Sequence, residues 1–361
     1  MVIEVDTGHT TCSYMSNLPV RATDSQVTAP IQADTESARR FAEHARSENT
    51  RRAYASDWDD FCDWCRSRDL SPLPATNETV ALYVASRAEI GPDDENGEPT
   101  SGLKPKTLER RLAAINGVHR LSEYPAPASR RDEPLHSVWT GMMRLIGGSV
   151  DKVAPALPAD LRAMIDFLPR DDGGGFTLRS KRDRSLLLLG FAGALRRSEL
   201  VGVQVSHLQF SSDGIRLFIP RSKADQEGRG AVLGIRYGNE ATTCPVRALQ
   251  AWMQAIRQVT GKGVVGPLFR KVDRWDNLGD DALQPLAVAS VIKRCAQAAG
   301  LEPSLYSGHS LRAGFATQAA RAGKHERAIM RHTRHKSEKV LREYIREGAL
   351  FDDNPTDGIG L

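Results

Sequence analysis

Between Ser37 and Gly147 apolar residues return on the helical period, and no stretch alternates strictly as a half-buried strand would. The pattern predicts helices over Phe41–His44, Thr50–Cys65, Thr76–Ala88, Pro105–His119 and Leu135–Ile146. Tyr54, Trp58, Phe61, Cys62 and Cys65 share one side of the second of these, as a buried face would. Thr76 offers a hydroxyl to cap a helix start, and Pro105 has the fixed φ that suits a first turn. Residues 34–147 are therefore expected to fold as a helical bundle. Residues 1–33 mix Thr, Ser, Asp and Pro without periodicity, which predicts a disordered tail.

The helical pattern stops at Gly147-Gly148-Ser149, and Pro155 and Pro158 follow, so residues 148–158 read as a linker. A second domain over 159–347 begins with a helix at Ala159–Leu168, a glycine-rich turn at Asp171–Gly175 and a buried helix at Arg182–Leu195. Strands are predicted at His207–Phe210, Ile215–Ile219 and Ala231–Tyr237, with Ser212-Asp213-Gly214 turning the first into the second. Helices follow at Pro245–Val259, Leu286–Ala299, Ser310–Ala322, Lys324–His332 and Ser337–Glu347. The expected fold is mainly α and has two domains: a helical bundle, then a mostly helical domain with one small antiparallel β-sheet. The closing segment 348–361 brackets a charged, turn-forming stretch with Leu350 and Phe351 on one side and Ile359 and Leu361 on the other. Apolar residues so placed need a surface to cover.

A length of 361 residues agrees with about two domains. With 40% hydrophobic and 26% charged residues, the composition is that of a chain that folds without a partner. Lys and Arg exceed Asp and Glu by 49 − 45 = 4, an excess that suits nucleic acid without singling it out. The five cysteines are odd in number and widely spaced, and no secretory leader is legible, which predicts a reducing cytoplasm. Cys62 and Cys65 have CxxC spacing, but a zinc site needs about four ligands and no second pair lies nearby. The apolar run Leu186–Leu195 is too short for a membrane span. No metal or cofactor is expected.

Two features carry chemistry. On the helix opened by Pro105, Lys104, Lys106, Arg110 and Arg111 make a basic side opposite Leu108, Leu112, Ile115 and His119. Such a helix is either a solvated surface or a DNA contact. In the second domain Arg196 closes the buried helix, and His309 and Arg312, at i, i+3 spacing, open another on one shared face. Arginines anchored at helix ends suit a phosphate, since each guanidinium forks onto two oxygens and keeps its charge. The constellation includes no paired carboxylates.

Three strings together resemble a known family. Gly193-Ala-Leu-Arg196-Arg-Ser-Glu199-Leu200 resembles the first-arginine motif of the tyrosine recombinase (phage integrase) family, and Ser307-Gly-His309-Ser-Leu-Arg312-Ala-Gly314 its His-x-x-Arg motif. Arg334-His335-Lys-Ser337 followed by Val340-Leu-Arg-Glu-Tyr344 is similar to the third histidine and the nucleophile, at the family interval 344 − 335 = 9. Arg334 stands where the family often has glycine. Ser47–Cys65 and Lys104–Arg120 resemble the core-binding helices of the Cre-like branch, so the likeness spans roughly 40–347.

The resemblance implies a site-specific recombinase that clamps duplex DNA in a C-shape and cuts it through a 3′-phosphotyrosyl intermediate and a Holliday junction. Tyr344 would be the nucleophile and Arg196, Arg312 and His335 the groups on the phosphate. His309 would accept the tyrosine proton, Lys223 would donate one to the leaving oxygen, and Glu199 would orient a neighbouring cation. Arg51, Arg52, Lys104, Lys106, Arg110 and Arg111 would bind DNA. The implied partners are duplexes with paired recombination sites and, on DNA, a homotetramer of chains that are monomers in solution, linked through 348–361. A type IB topoisomerase, a metal nuclease using His325, His332 and His335, and a regulator without catalysis remain alternatives.

Overall fold

The computed structural model describes residues 37, 48–88, 102–146, 153–220, 230–335, 337, 338, 341, 342 and 344. The helix expected at Phe41–His44, the tail 1–33, Lys223 and the segment 348–361 lie outside them. The chain divides into two compact units, Met1–Val150 and Asp151–Leu361.

The first unit contains α1 (Glu48–Arg66), α2 (Asn77–Ala88), α3 (Pro105–Leu121) and α4 (Leu135–Ile146). Trp58, Phe61 and Cys65 are buried as expected, but Trp64 joins them while Tyr54 and Cys62 are only half-buried. Trp64 turns inward because its indole N–H donates to Ser86 Oγ at 3.0 Å and its ring meets Tyr83 edge-on. Burial pushes the Cys65 thiol up to about 11, so it packs as a neutral apolar group. Thr76 does cap α2, accepting from Thr79 N at 3.1 Å. His119 is wholly buried yet satisfied, with Nε2 accepting from Ala75 N at 2.9 Å and Nδ1 donating to Ile115 O at 2.9 Å. Burial holds its pKa below the ordinary value, against the bond to Ile115 O, which raises it.

The second unit runs α5 (Pro158–Asp166), α6 (Leu178–Ala192), α7 (Arg197–Val201), the antiparallel strands β1 (Leu208–Phe210), β2 (Gly214–Ile219) and β3 (Ala231–Arg236), then α8 (Pro245–Thr260). A second sheet follows, β4 (Arg270–Val272) with β5 (Leu278–Ala282), then α9 (Pro285–Ala298), α10 (Ser310–Arg321) and α11 (Glu326–Thr333). This hairpin was not expected. Its strands carry charge instead of alternation, and cross-strand ion pairs join Arg270 to Asp280 and Lys271 to Asp281.

Helix α6 is the spine of the unit, with Leu186, Leu187 and Leu189 fully buried. It starts at Leu178, ahead of the expected Arg182, because Thr177 caps it and the Asp276 carboxylate accepts from Leu178 N and Arg179 N at 2.9 and 3.0 Å. It stops at Ala192, short of Leu195, because Gly193 caps it and Ala194 then takes φ 45. Helix α10 crosses close to Ala156. A Cβ on Gly314 would stand 2.0 Å from Ala156 O, so only glycine permits this approach.

Candidate active site

The end of α6 leaves three carbonyls on which two motif arginines, Arg312 and Arg334, and the side chain of His332 converge. Ala194 O accepts from Arg312 Nη1 at 2.7 Å, Ala192 O from His332 Nε2 at 2.7 Å, and Gly193 O from Arg334 Nη1 at 3.4 Å. A helix C-terminus carries partial negative charge, so it is a fitting anchor for buried cations. Arg312 is 1% exposed, and its Nη2 has no hydrogen-bond partner among the described residues. A buried charged donor left open is costly unless an anion fills the position.

Glu199 organises the arginines. Its Oε1 accepts from Arg196 Nη1 at 2.6 Å, and Oε2 accepts from Arg196 N at 3.0 Å and Arg334 Nη2 at 2.8 Å. Burial alone would raise this carboxyl, but the charge of Arg334 and the bonds and charge of Arg196 hold it below its ordinary value. Burial and then the charges of Arg196 and Arg334 bring Arg312 down to about 10, which still leaves it cationic at neutral pH.

Tyr344 closes the site. Its segment is seated by Leu341, fully buried against Ala316 of α10 and Ile329 of α11. The Tyr344 hydroxyl lies 2.5 Å from His309 Nε2, across 35 residues of sequence. His309 occupies the N-cap position of α10 and stays at the surface, while Arg312, three residues on, is buried beside it. Desolvation, then Arg312, Arg196 and Arg197, lower the His309 pKa. His335, whose ring centroid is 6.0 Å from that of Tyr344, is pushed down to about 3 by burial and then by Arg312, Arg196, His309 and Arg334. Both imidazoles are therefore neutral at neutral pH. His335 Nδ1 lies 2.7 Å from Thr333 Oγ1.

The histidines of the metal-nuclease alternative disperse. His332 stacks on Phe315 and donates to Ala192 O, His325 caps α11, and His335 faces Thr333 and Tyr344. Lys223 lies outside the described residues, between the paired strand ends Ile219 and Ala231. Sequence reading missed Arg334 as a member of the site. The signal was its departure from glycine next to His335.

The basic helix α3 divides its cations. Lys106 is 93% exposed and pairs with Glu109, and Arg110 reaches Asp57 at 3.0 Å while staying partly solvated. Arg111, expected on the solvent side, is 15% exposed and turns inward to Asp60 and to Tyr83 Oη at 2.6 Å. The carboxylates of α1 draw it in. Arg52 is exposed and pairs with Glu48, and Arg51 is half-buried on the same helix. No described helix is long and apolar enough to cross a membrane.

The second unit thus brings a surplus of buried guanidinium beside a tyrosine hydroxyl on a neutral imidazole, an arrangement suited to a phosphate under attack. The chain belongs to the phage integrase family. The Phage integrase family profile matches residues 158–349, and the profile described as Phage integrase, N-terminal SAM-like domain matches residues 40–122. The integrase/recombinase xerD homolog of Selenomonas ruminantium is 37% identical over 320 residues, covering 88% of this chain and 87% of that protein. Recombinase cre of Escherichia phage P1 is 24% identical over 351 residues, with 91% of each chain covered. Among solved structures, the XerH site-specific recombinase bound to palindromic difH substrate in a post-cleavage complex matches at TM-score 0.58 and 15% identity, over 83% of this chain and 76% of that one. The Tn1549 transposon integrase in complex with transposon right end DNA matches at TM-score 0.53 and 15% identity, over 85% and 92%. These structures share the mostly helical fold with small antiparallel sheets.

Proposed function

We propose that the chain is a site-specific DNA recombinase whose Tyr344 cleaves duplex DNA. The observation that carries this reading is the Tyr344 hydroxyl 2.5 Å from His309 Nε2, in the unit where Arg312 keeps a buried donor open. Neutral His309 takes the phenolic proton as Tyr344 Oη bonds to phosphorus. The bond from phosphorus to the 5′-oxygen breaks, the 3′-phosphate stays on the tyrosine, and Lys223 protonates the departing 5′-oxygen. Arg196 and Arg312 bind the non-bridging oxygens, which gather charge in the transition state. Thr333 Oγ1 donates to Ile329 O at 2.8 Å and so accepts from His335 Nδ1 at 2.7 Å, which puts the neutral ring's proton on Nδ1; His335 donates from Nε2 to the same phosphate only when it holds a second proton there. A 5′-hydroxyl from another strand reverses the step, so the bond energy is conserved and no nucleotide cofactor is consumed.

Lys106 and Arg110 of α3, with Arg51, Arg52 and Lys104, bind the duplex, and Arg111 supports that surface from inside. Two duplexes are held by a cyclic tetramer, with 348–361 docked on the neighbouring protomer. Truncation after Glu347 is expected to spare binding to a single site and abolish recombination; full-rate recombination by the truncated chain contradicts the docking role. Relatives named as recombinases and the SAM-like match favour strand exchange over relaxation of one strand.

The test needs no target sequence known in advance. Fragmented genomic DNA is incubated with the protein, trapped, digested with nuclease and analysed by mass spectrometry. A nucleotide 3′-phosphate on Tyr344, absent from Tyr344→Phe although that variant still retains DNA, is the expected result. Cleavage by Tyr344→Phe rejects the reading.

A further inference from the structure

Arg334 adopts φ 56 and ψ 42, the left-handed conformation that favours glycine. An arginine held there against its steric preference is over-determined by its contacts. Its side chain is 8% exposed and donates to His332 O at 2.9 Å, Gly193 O at 3.4 Å, Ala194 O at 3.3 Å and Glu199 Oε2 at 2.8 Å. One guanidinium thus ties the turn before His335 to the carbonyl end of α6 and to the single carboxylate among the site residues.

The charge balance gives this knot a purpose. Glu199 is 2% exposed and bears a full negative charge beside Arg196. Alone with that carboxylate, Arg196 would spend its positive field on Glu199. With Arg334 on Oε2, the carboxylate is matched by a different cation, while Oε1 still aims the Arg196 guanidinium. We infer that Arg334 is a positioning residue for strand cleavage: it neutralises Glu199, so that Arg196 is oriented by the carboxylate without being cancelled by it and keeps its charge for the phosphate. This inference rests on the reading of Tyr344 as nucleophile. It assigns Arg334 no contact with DNA.

The test measures single-turnover formation of the Tyr344 adduct by the full chain at saturating DNA. Arg334→Gly keeps the turn, since glycine accepts its φ, and removes only the cation. The adduct rate should fall roughly ten- to a hundredfold, the range for loss of a group that supports a site from behind, with DNA affinity within about threefold. Adding Glu199→Gln to Arg334→Gly removes the unmatched charge while keeping an acceptor for Arg196, and should recover about tenfold of the lost rate. A purely structural role predicts no such rescue. Should the glycine variant lose its cooperative melt, Arg334→Lys against Arg334→Gln makes the same comparison: lysine keeps the charge and most of the rate, and glutamine does not. A wild-type rate in Arg334→Gly, a double variant no faster than the single one, or lysine as slow as glutamine overturns the inference. No adduct from the unsubstituted chain overturns the Tyr344 reading and this inference with it.

Discussion

In the first unit Arg87, Arg110 and Arg111 close round Asp57 and Asp60, whereas in the second Arg196 and Arg334 pair with Glu199 while Arg312 beside them is held by Ala194 O. The residue types are the same and the arithmetic differs. Three arginines against two carboxylates, helped by the Tyr83 hydroxyl, make a network that binds α1, α2 and α3 to one another. Three against one leave a surplus, which the structure meets with the carbonyls of Ala192, Gly193 and Ala194 and, for Arg312 Nη2, with nothing among the described residues. The number of arginines thus says little about an anion site. Open donors occur in both clusters, at Arg87 Nε and Arg111 Nε as at Arg312 Nη2 and Arg334 Nε, so it is the excess over buried carboxylate that separates them.

The comparison breaks first at Arg312. Arg312→Ala removes the open donor and should lower the rate of Tyr344 adduct formation by about 10²–10³-fold, as for loss of one preorganised donor to a developing oxyanion. Adduct formation at the wild-type rate would mean that the surplus serves packing alone. Arg111→Ala, by contrast, should reduce stability by about 1–3 kcal/mol through the partners it leaves buried at Asp60 and Tyr83. Chemical denaturation of the full chain reads that loss. Lys106→Ala should leave stability within about 0.5 kcal/mol, because the side chain is exposed, and should instead flatten the salt dependence of DNA binding by roughly one counterion. If Arg111→Ala and Lys106→Ala behave alike in both assays, the inward and outward division of α3 is wrong.

A smaller effect separates the two units by pH. His335 sits at about 3 in the folded chain against an ordinary value of 6.5. Its folded pKa is depressed, so the unfolded chain binds more protons between those values. The stability contribution is therefore full above about pH 6.5 and is lost progressively as pH falls toward about 3. The melting temperature of the second unit should drop by a few degrees between neutral pH and pH 5, and His335→Gln should flatten that slope. His119 of the first unit is also held below its ordinary value, so His119→Gln provides the matched control. A slope untouched by His335→Gln would place the acid sensitivity elsewhere.

Much of the fold was legible because it rests on local signals. The periodicity over Thr76–Ala88 and Leu135–Ile146 and the β2–β3 pair, turned from β1 by Ser212-Asp213-Gly214, agree closely with the structure. The β4–β5 hairpin was not legible, because its pairing is written in charges ten residues apart, Arg270 with Asp280 and Lys271 with Asp281, which no alternation announces. Trp64 likewise gave no sign of facing inward, since the Ser86 hydroxyl that receives its N–H belongs to another helix.

For the site, the strings around Arg196, His309, Arg312, His335 and Tyr344 could be read in sequence order because each motif is contiguous. What those strings could not state was which cations share a carboxylate. That Arg111 turns inward while Lys106 stays in water depends on Asp57 and Asp60 lying one helix away. That Arg334 shares Glu199 with Arg196 depends on a left-handed turn bringing residue 334 to the end of α6, 135 positions from its partner. Sequence alone determined the periodicity, the caps and the order of the reactive groups, since these follow from neighbours along the chain. Tertiary structure decided the charge balance, because burial and Coulomb energy depend on distance through space and not on separation along the backbone.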